Sequence, residues 1–117
     1  MITLERIKIY LERFKELKRE IDVYGNHQIF YPYNVSAQRC KELVENEENP
    51  NAAFRELLNM CEILDGIIKQ LNESIIDDTD YSLDEHADSS FQYKPYNDLV
   101  KRIYVLFKDI KNEDSVQ

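Results

Sequence analysis

Leu4, Ile7, Leu11, Phe14, Leu17 and Ile21 step along the chain by three or four residues. That period places them on one stripe of an α-helix and predicts a helix from about Leu4 to Val23. On its polar side Glu5 and Lys8, Glu12 and Lys15, and Glu16 and Arg19 stand three apart. Each such pair is worth only about 0.2–0.5 kcal/mol, so the apolar stripe governs. Gly25 and Asn26 are the predicted stop, because both accept a left-handed backbone.

The next segment, "HQIFYPYN" at 27–34, has no helical period, and Pro32 turns its predecessor away from helical geometry. It reads as an aromatic loop. A short second helix of about a dozen residues should follow, capped by Asn34 or Ser36 and running through Cys40, Leu43 and Val44. "NEENPN" interrupts it, with Asn49 as N-cap and Pro50 as first residue of a third helix. A single helix kinked at Pro50 is the alternative, and a break or sharp bend is the reading preferred here.

The third helix is the longest, with Phe54, Leu57, Cys61, Leu64, Ile68, Leu71 and Ile75 in strict three-four spacing. Leu58, Ile63 and Ile67 widen its stripe, which predicts a central helix touching more than one neighbour. The same repeat suits coiled-coil packing, inside the chain or against a second copy. Gly66 costs this helix about 1 kcal/mol relative to alanine, and close approach of a neighbour would explain it. Pro95 should open a fourth helix through about Lys111, with Tyr96, Leu99, Val100, Ile103, Leu106, Phe107 and Ile110 inward. Residues 113–117 form a frayed tail.

Helices with one apolar stripe each can hide those stripes only by packing together. The expected fold is therefore all-α: a compact antiparallel bundle of three long helices plus one short helix. It forms one domain over residues 1–112, with an acidic loop at 76–92 inside it. Two glycines and three prolines in 117 residues agree with a helical chain.

Charge changes the picture more than composition does. The chain carries a net −8. Residues 1–24 contribute +1, 25–75 contribute −4, 76–90 contribute −6 and 91–117 contribute +1. An anionic middle is repelled by phosphates, which disfavours direct nucleic-acid binding. No apolar run approaches the roughly 20 residues that cross a bilayer, and the start "MITLERIKIYLERF" is too charged for a signal peptide. A cytoplasmic protein without membrane contact is expected. Heavy use of Asn, Ile, Lys and Tyr points to an AT-rich microbial or phage genome.

The acidic stretch "DDTDYSLDEHADSS" at 77–90 is a candidate for chemistry. A calcium loop of the EF-hand type needs oxygen ligands at positions 1, 3 and 5, glycine at 6 and glutamate at 12. From Asp78 the first three fit as Asp78, Asp80 and Ser82, but position 6 is Leu83 and position 12 is Ser89. His86 with Asp84 and Asp88 is too small a set for a transition-metal site, which gathers three or four ligands from separated elements. No cofactor or metal is expected, and the stretch reads as a solvated connection or an acidic partner-facing surface. Cys40 and Cys61 fall on apolar helical faces, as core thiols do, and form neither a zinc motif nor a disulfide framework. Glycine-rich phosphate loops, Gly-x-Ser-x-Gly and His-Glu-x-x-His are all absent.

Tyr24, Phe30, Tyr31 and Tyr33 crowd into ten residues around His27 and Pro32. Tyrosines give large contact area at low entropic cost, which suits them to recognition, although aromatics in a loop also plug bundle ends. The expected function is a non-enzymatic protein-binding module that regulates, inhibits or protects a macromolecular partner with a basic surface. Its expected contact residues are His27, Tyr31, Tyr33, Asp77, Asp78, Asp80, Asp84, Glu85 and Asp88. Two alternatives stand beside it: a small helical enzyme using His27 or His86 with carboxylates, and a structural subunit pairing its third helix with another chain.

Overall fold

The computed structural model describes residues 2–47, 49–82 and 87–115, with side chains for those outside 74–93 and 114–115. The described residues form four helices: α1 (Leu4–Ile21), α2 (His27–Glu45), α3 (Pro50–Ser82) and α4 (Ala87–Ser115). A 3-10 turn at Asp22–Tyr24 follows α1, and the described residues contain no strand. The fold is all-α, as the stripes require. The helices are 18, 19, 33 and 29 residues long, so none is the short helix the sequence suggested.

α1 starts where Thr3 accepts a hydrogen bond from the Arg6 amide at 3.3 Å. Ile7, Tyr10, Phe14, Leu17 and Ile21 are buried along it, with Leu4 and Leu11 half-buried. The expected pairs three residues apart give way to ion pairs across the α1–α4 seam. Arg6 grips Glu113 with two nitrogens, Arg13 meets Asp109 at 3.0 Å, and Arg102 meets Glu20 at 3.0 and 2.7 Å. Such exposed pairs add roughly 0–1 kcal/mol each, so they fix register more than stability. Residue numbers rise along α1 as they fall along α4, so the two helices run in opposite directions. Within the expected tail at 113–117, α4 continues through Ser115 and Glu113 pairs with Arg6, while residues 116 and 117 lie outside the described residues.

α2 is the largest departure from expectation. It begins seven residues earlier than Asn34, capped by Asn26, whose Oδ1 accepts the Ile29 amide at 3.0 Å. Pro32, the sixth residue of the helix, removes one backbone hydrogen bond and crowds the carbonyl one turn earlier, a cost of about 3 kcal/mol. Burying Phe30, Tyr33, Ser36, Cys40 and Val44 on one face outweighs that loss. Ser36 is 2% exposed and its polarity is met: its hydroxyl donates to Glu56 at 2.5 Å and accepts from Asn59 at 3.2 Å. The Cys40 thiol donates to the Ala53 carbonyl at 3.4 Å, a contact that needs small residues on both helices. α2 and α3 therefore run in opposite directions and share the most extensive helix interface.

α2 and α3 are separate, as the break at Asn49-Pro50 implied, and Asn49 Oδ1 accepts the Asn51 amide at 2.9 Å. α3 touches all three other helices, and its Leu57, Leu64 and Ile68 are fully enclosed within the chain. From Phe54 to Leu71 that stripe is covered within the chain. The phenol of Tyr104 on α4 donates to Asp65 at 2.6 Å and holds that carboxyl below its usual range. α3, at about 1.5 Å per residue, spans about 50 Å, close to the longest dimension of 54 × 28 × 18 Å. The molecule is elongated rather than compact.

The two glycines have opposite reasons. Gly25 is extended, at φ −141° and ψ −177°, so it does not stop α1 by left-handed geometry. A Cβ there would stand 2.9 Å from Phe30 and 3.2 Å from Leu71. A Cβ on Gly66 would meet nothing within 4 Å, which removes close approach as its explanation. Gly66→Ala should stabilise the fold by about 0.4–1 kcal/mol through helix propensity and unfolded-state entropy. Gly25→Ala should destabilise it by about 1–3 kcal/mol through overpacking. Urea unfolding of both variants checks the opposed signs.

Candidate functional site

The connection between α1 and α2 is pinned to the other two helices. Tyr24 packs edge-on against Tyr96 of α4, ring centroids 4.9 Å apart, and the Tyr96 phenol donates to Asn72 Oδ1 of α3 at 2.6 Å. Burial pushes that phenol up to about 12. Phe30 and Leu71 both crowd Gly25 at the same level. α1 and α2 turn back here, while α3 continues eleven residues past Leu71, about 16 Å at the helical rise.

Asp77, Asp78 and Asp80 lie on this extension of α3, and Asp88 is the second residue of α4. The expected acidic loop at 76–92 is thus helical over 76–82 and 87–92. Asp84, Glu85 and His86 lie outside the described residues. The segment from 67 to 94 holds no glycine and no proline, a signal that would have predicted continued helix.

His27 opens α2 and Tyr31 follows four residues later on the same helical face; both are exposed, Tyr31 at 67%. Val23, in the preceding turn, is 78% exposed. Tyr33 lies about 200° around the helix from Tyr31 and is 3% exposed, with its ring 6.0 Å from that of Phe14. Its ring packs into the core and does not stand exposed beside His27 and Tyr31. The structure brings His27 and Tyr31 to the end of the bundle from which the acidic helices extend.

Catalytic arrangements are weak among the described residues. Ser36 has both its donor and acceptor roles filled by Glu56 and Asn59 and is enclosed. Cys40 and Cys61 are free and buried, and burial pushes both thiols up to about 12, which keeps them protonated at neutral pH. Among the described residues no group of three or more His, Cys, Asp or Glu is placed to hold a metal ion. No helix among them is long and apolar enough to cross a membrane.

A second feature escaped the sequence reading. Between α1 and α2 runs an open groove of about 550 Å³ whose rims carry Lys8, Lys15, Lys18 and Lys41 against Glu12 and Glu45. Four cations and two anions make a net +2 on a chain of net −8. The signal was present: Lys8, Lys15 and Lys18 share one side of α1 at spacings of seven and three. Which helix they face is a tertiary fact that the spacing does not contain.

The chain matches no protein-family model, no curated protein and no solved structure. The all-α fold and these two surfaces are therefore what its function is argued from.

Proposed function

We propose that this chain is a non-enzymatic protein-binding module that regulates, inhibits or protects a macromolecular partner. It meets a basic surface on that partner with the end formed by Val23, His27, Tyr31 and the acidic extensions of α3 and α4. The site of action is the cytoplasm, where two free buried thiols stay reduced. One observation carries the reading: Asp77, Asp78, Asp80 and Asp88, four of the six carboxylates in 76–90, fall on helical segments, the first three on the stretch of α3 that reaches past the level where α1 and α2 turn back. A helical scaffold presents carboxylates in fixed positions at lower entropic cost than a loop would. The exposed Tyr31 in the second turn of α2 supplies the large apolar contact area on which interfaces concentrate binding energy.

Affinity purification of the full chain from its source cell tests this. A partner should be retained at about 50 mM salt and released as salt rises toward about 0.5 M, because the attraction is screened. Asp77→Asn/Asp78→Asn/Asp80→Asn/Asp88→Asn should lower retention at least tenfold, and Tyr31→Ala should weaken it further. Absence of any partner at low salt, or a partner indifferent to both variants, overturns the reading.

A further inference from the structure

The groove between α1 and α2 has the opposite character to the acidic end. Its floor is apolar, made by Leu11, Phe14, Tyr33, Ala37, Val44 and by Met60 of α3. Lys18 is held at one end of the rim, 2.8 Å from Asp22 and 4.9 Å from the centre of the Phe30 ring. Lys41 lies 4.0 Å from Glu45 on the other rim. Lys8 and Lys15 have no ion-pair partner among the described residues. Tyr33 adds an independent anomaly. Its side chain is enclosed, yet its hydroxyl has no hydrogen-bond partner among the described residues. Burial pushes this phenol upward, so it stays a donor. Buried polar groups are normally paired, and an unpaired one calls for a water or a ligand.

We infer that this groove is a docking site for an acidic amphipathic helix of another protein. From Lys8 to Lys18, and from Tyr33 to Glu45, the lining runs about 15–18 Å at the helical rise. That is the length of about three turns, which present apolar anchors at i, i+3 or i+4 and i+7. The apolar floor receives those anchors. The α1 rim, with Lys8 and Lys15 unpaired among the described residues, faces acidic residues on the flank of the incoming helix. A single-chain fatty acid brings one carboxylate, whereas this groove spreads three lysines along its α1 wall, with Lys41 on the α2 wall. The occupant is therefore a ligand with distributed negative charge. This site is independent of the acidic end and reverses its polarity, so one chain would engage two partners of opposite charge.

Selection of a displayed library of amphipathic helices with randomised flanks, against the full chain, tests the inference. The enriched helices should carry Asp and Glu beside the apolar face. The best of them, made as a peptide, should shift amide signals of residues 8–18 and 33–45. Lys8→Glu/Lys15→Glu changes two exposed side chains and should keep the wild-type melting curve while weakening binding at least tenfold. Tyr33→Phe should weaken it several-fold. Asp77→Asn/Asp78→Asn/Asp80→Asn/Asp88→Asn should leave it unchanged, which separates this site from the one proposed above. No enriched helix, basic or neutral flanks, or indifference to the lysine reversals overturns the inference. Oleate binding tighter than every selected helix would assign the groove to a lipid chain. A dimer abolished by the same lysine reversals would assign it to a second copy. Either result also overturns it.

Discussion

Replacing Phe14 with alanine should cost this fold about 3–5 kcal/mol, the usual range for truncating an enclosed aromatic ring. Phe14 is buried on α1, its ring centroid 6.0 Å from that of Tyr33 on α2 and 6.3 Å from that of Phe107 on α4. One side chain thus joins three helices, and no single helix can shift to fill the space it leaves. Domains of this size are stable by about 5–15 kcal/mol, so the loss is roughly a fifth or more of the whole. Urea unfolding should show a large fall in the midpoint. Ile9→Ala is the control: Ile9 is on the same helix but exposed, and its loss should stay within about 0.5 kcal/mol. Similar losses at both positions would mean that α1 does not pack through the face that carries Phe14.

That face was legible from spacing alone. Leu4 to Ile21 repeat by threes and fours, and the structure buries or half-buries every member of the set. The same holds for α3 from Phe54 to Leu71 and α4 from Tyr96 to Ile110. α2 was misread for two physical reasons. Pro32 argued against helix, yet the burial of Phe30 and Tyr33 on the same helix outweighs the bond and the local preference that it costs. Ser36 also broke the apolar stripe, because its place in the core depends on Glu56 and Asn59, supplied by a different helix. The acidic end was legible in charge but not in shape. Polarity without period suggested a connection, while the missing breakers between 67 and 94 carried the better signal. The lysine groove and the α1–α4 ion pairs were out of reach, since both depend on which helix lies beside α1.

Tyr96→Ala should also cost about 3–5 kcal/mol, and its effect should be localised as well as large. Tyr96 is buried where α4 enters the four-helix body, edge-on to Tyr24 and bonded through its phenol to Asn72. It therefore ties the α1–α2 connection to both helices that extend toward the acidic residues. Two parts of the side chain can be separated. Tyr96→Phe keeps the ring packing and removes one hydrogen bond from a half-buried partner, a loss of about 1 kcal/mol. The alanine variant removes the ring as well and frees Tyr24. Amide hydrogen exchange should then accelerate over residues 22–31 in the alanine variant, while residues 53–64 of α3, packed against α2, stay protected. Equal losses in the two variants would put the pin in the hydrogen bond instead of the ring. Unchanged exchange at 22–31 would mean that the connection carrying Val23, His27 and Tyr31 is held without α4. The geometry of the proposed partner-binding end would then have to come from Gly25 and its contacts with Phe30 and Leu71 alone.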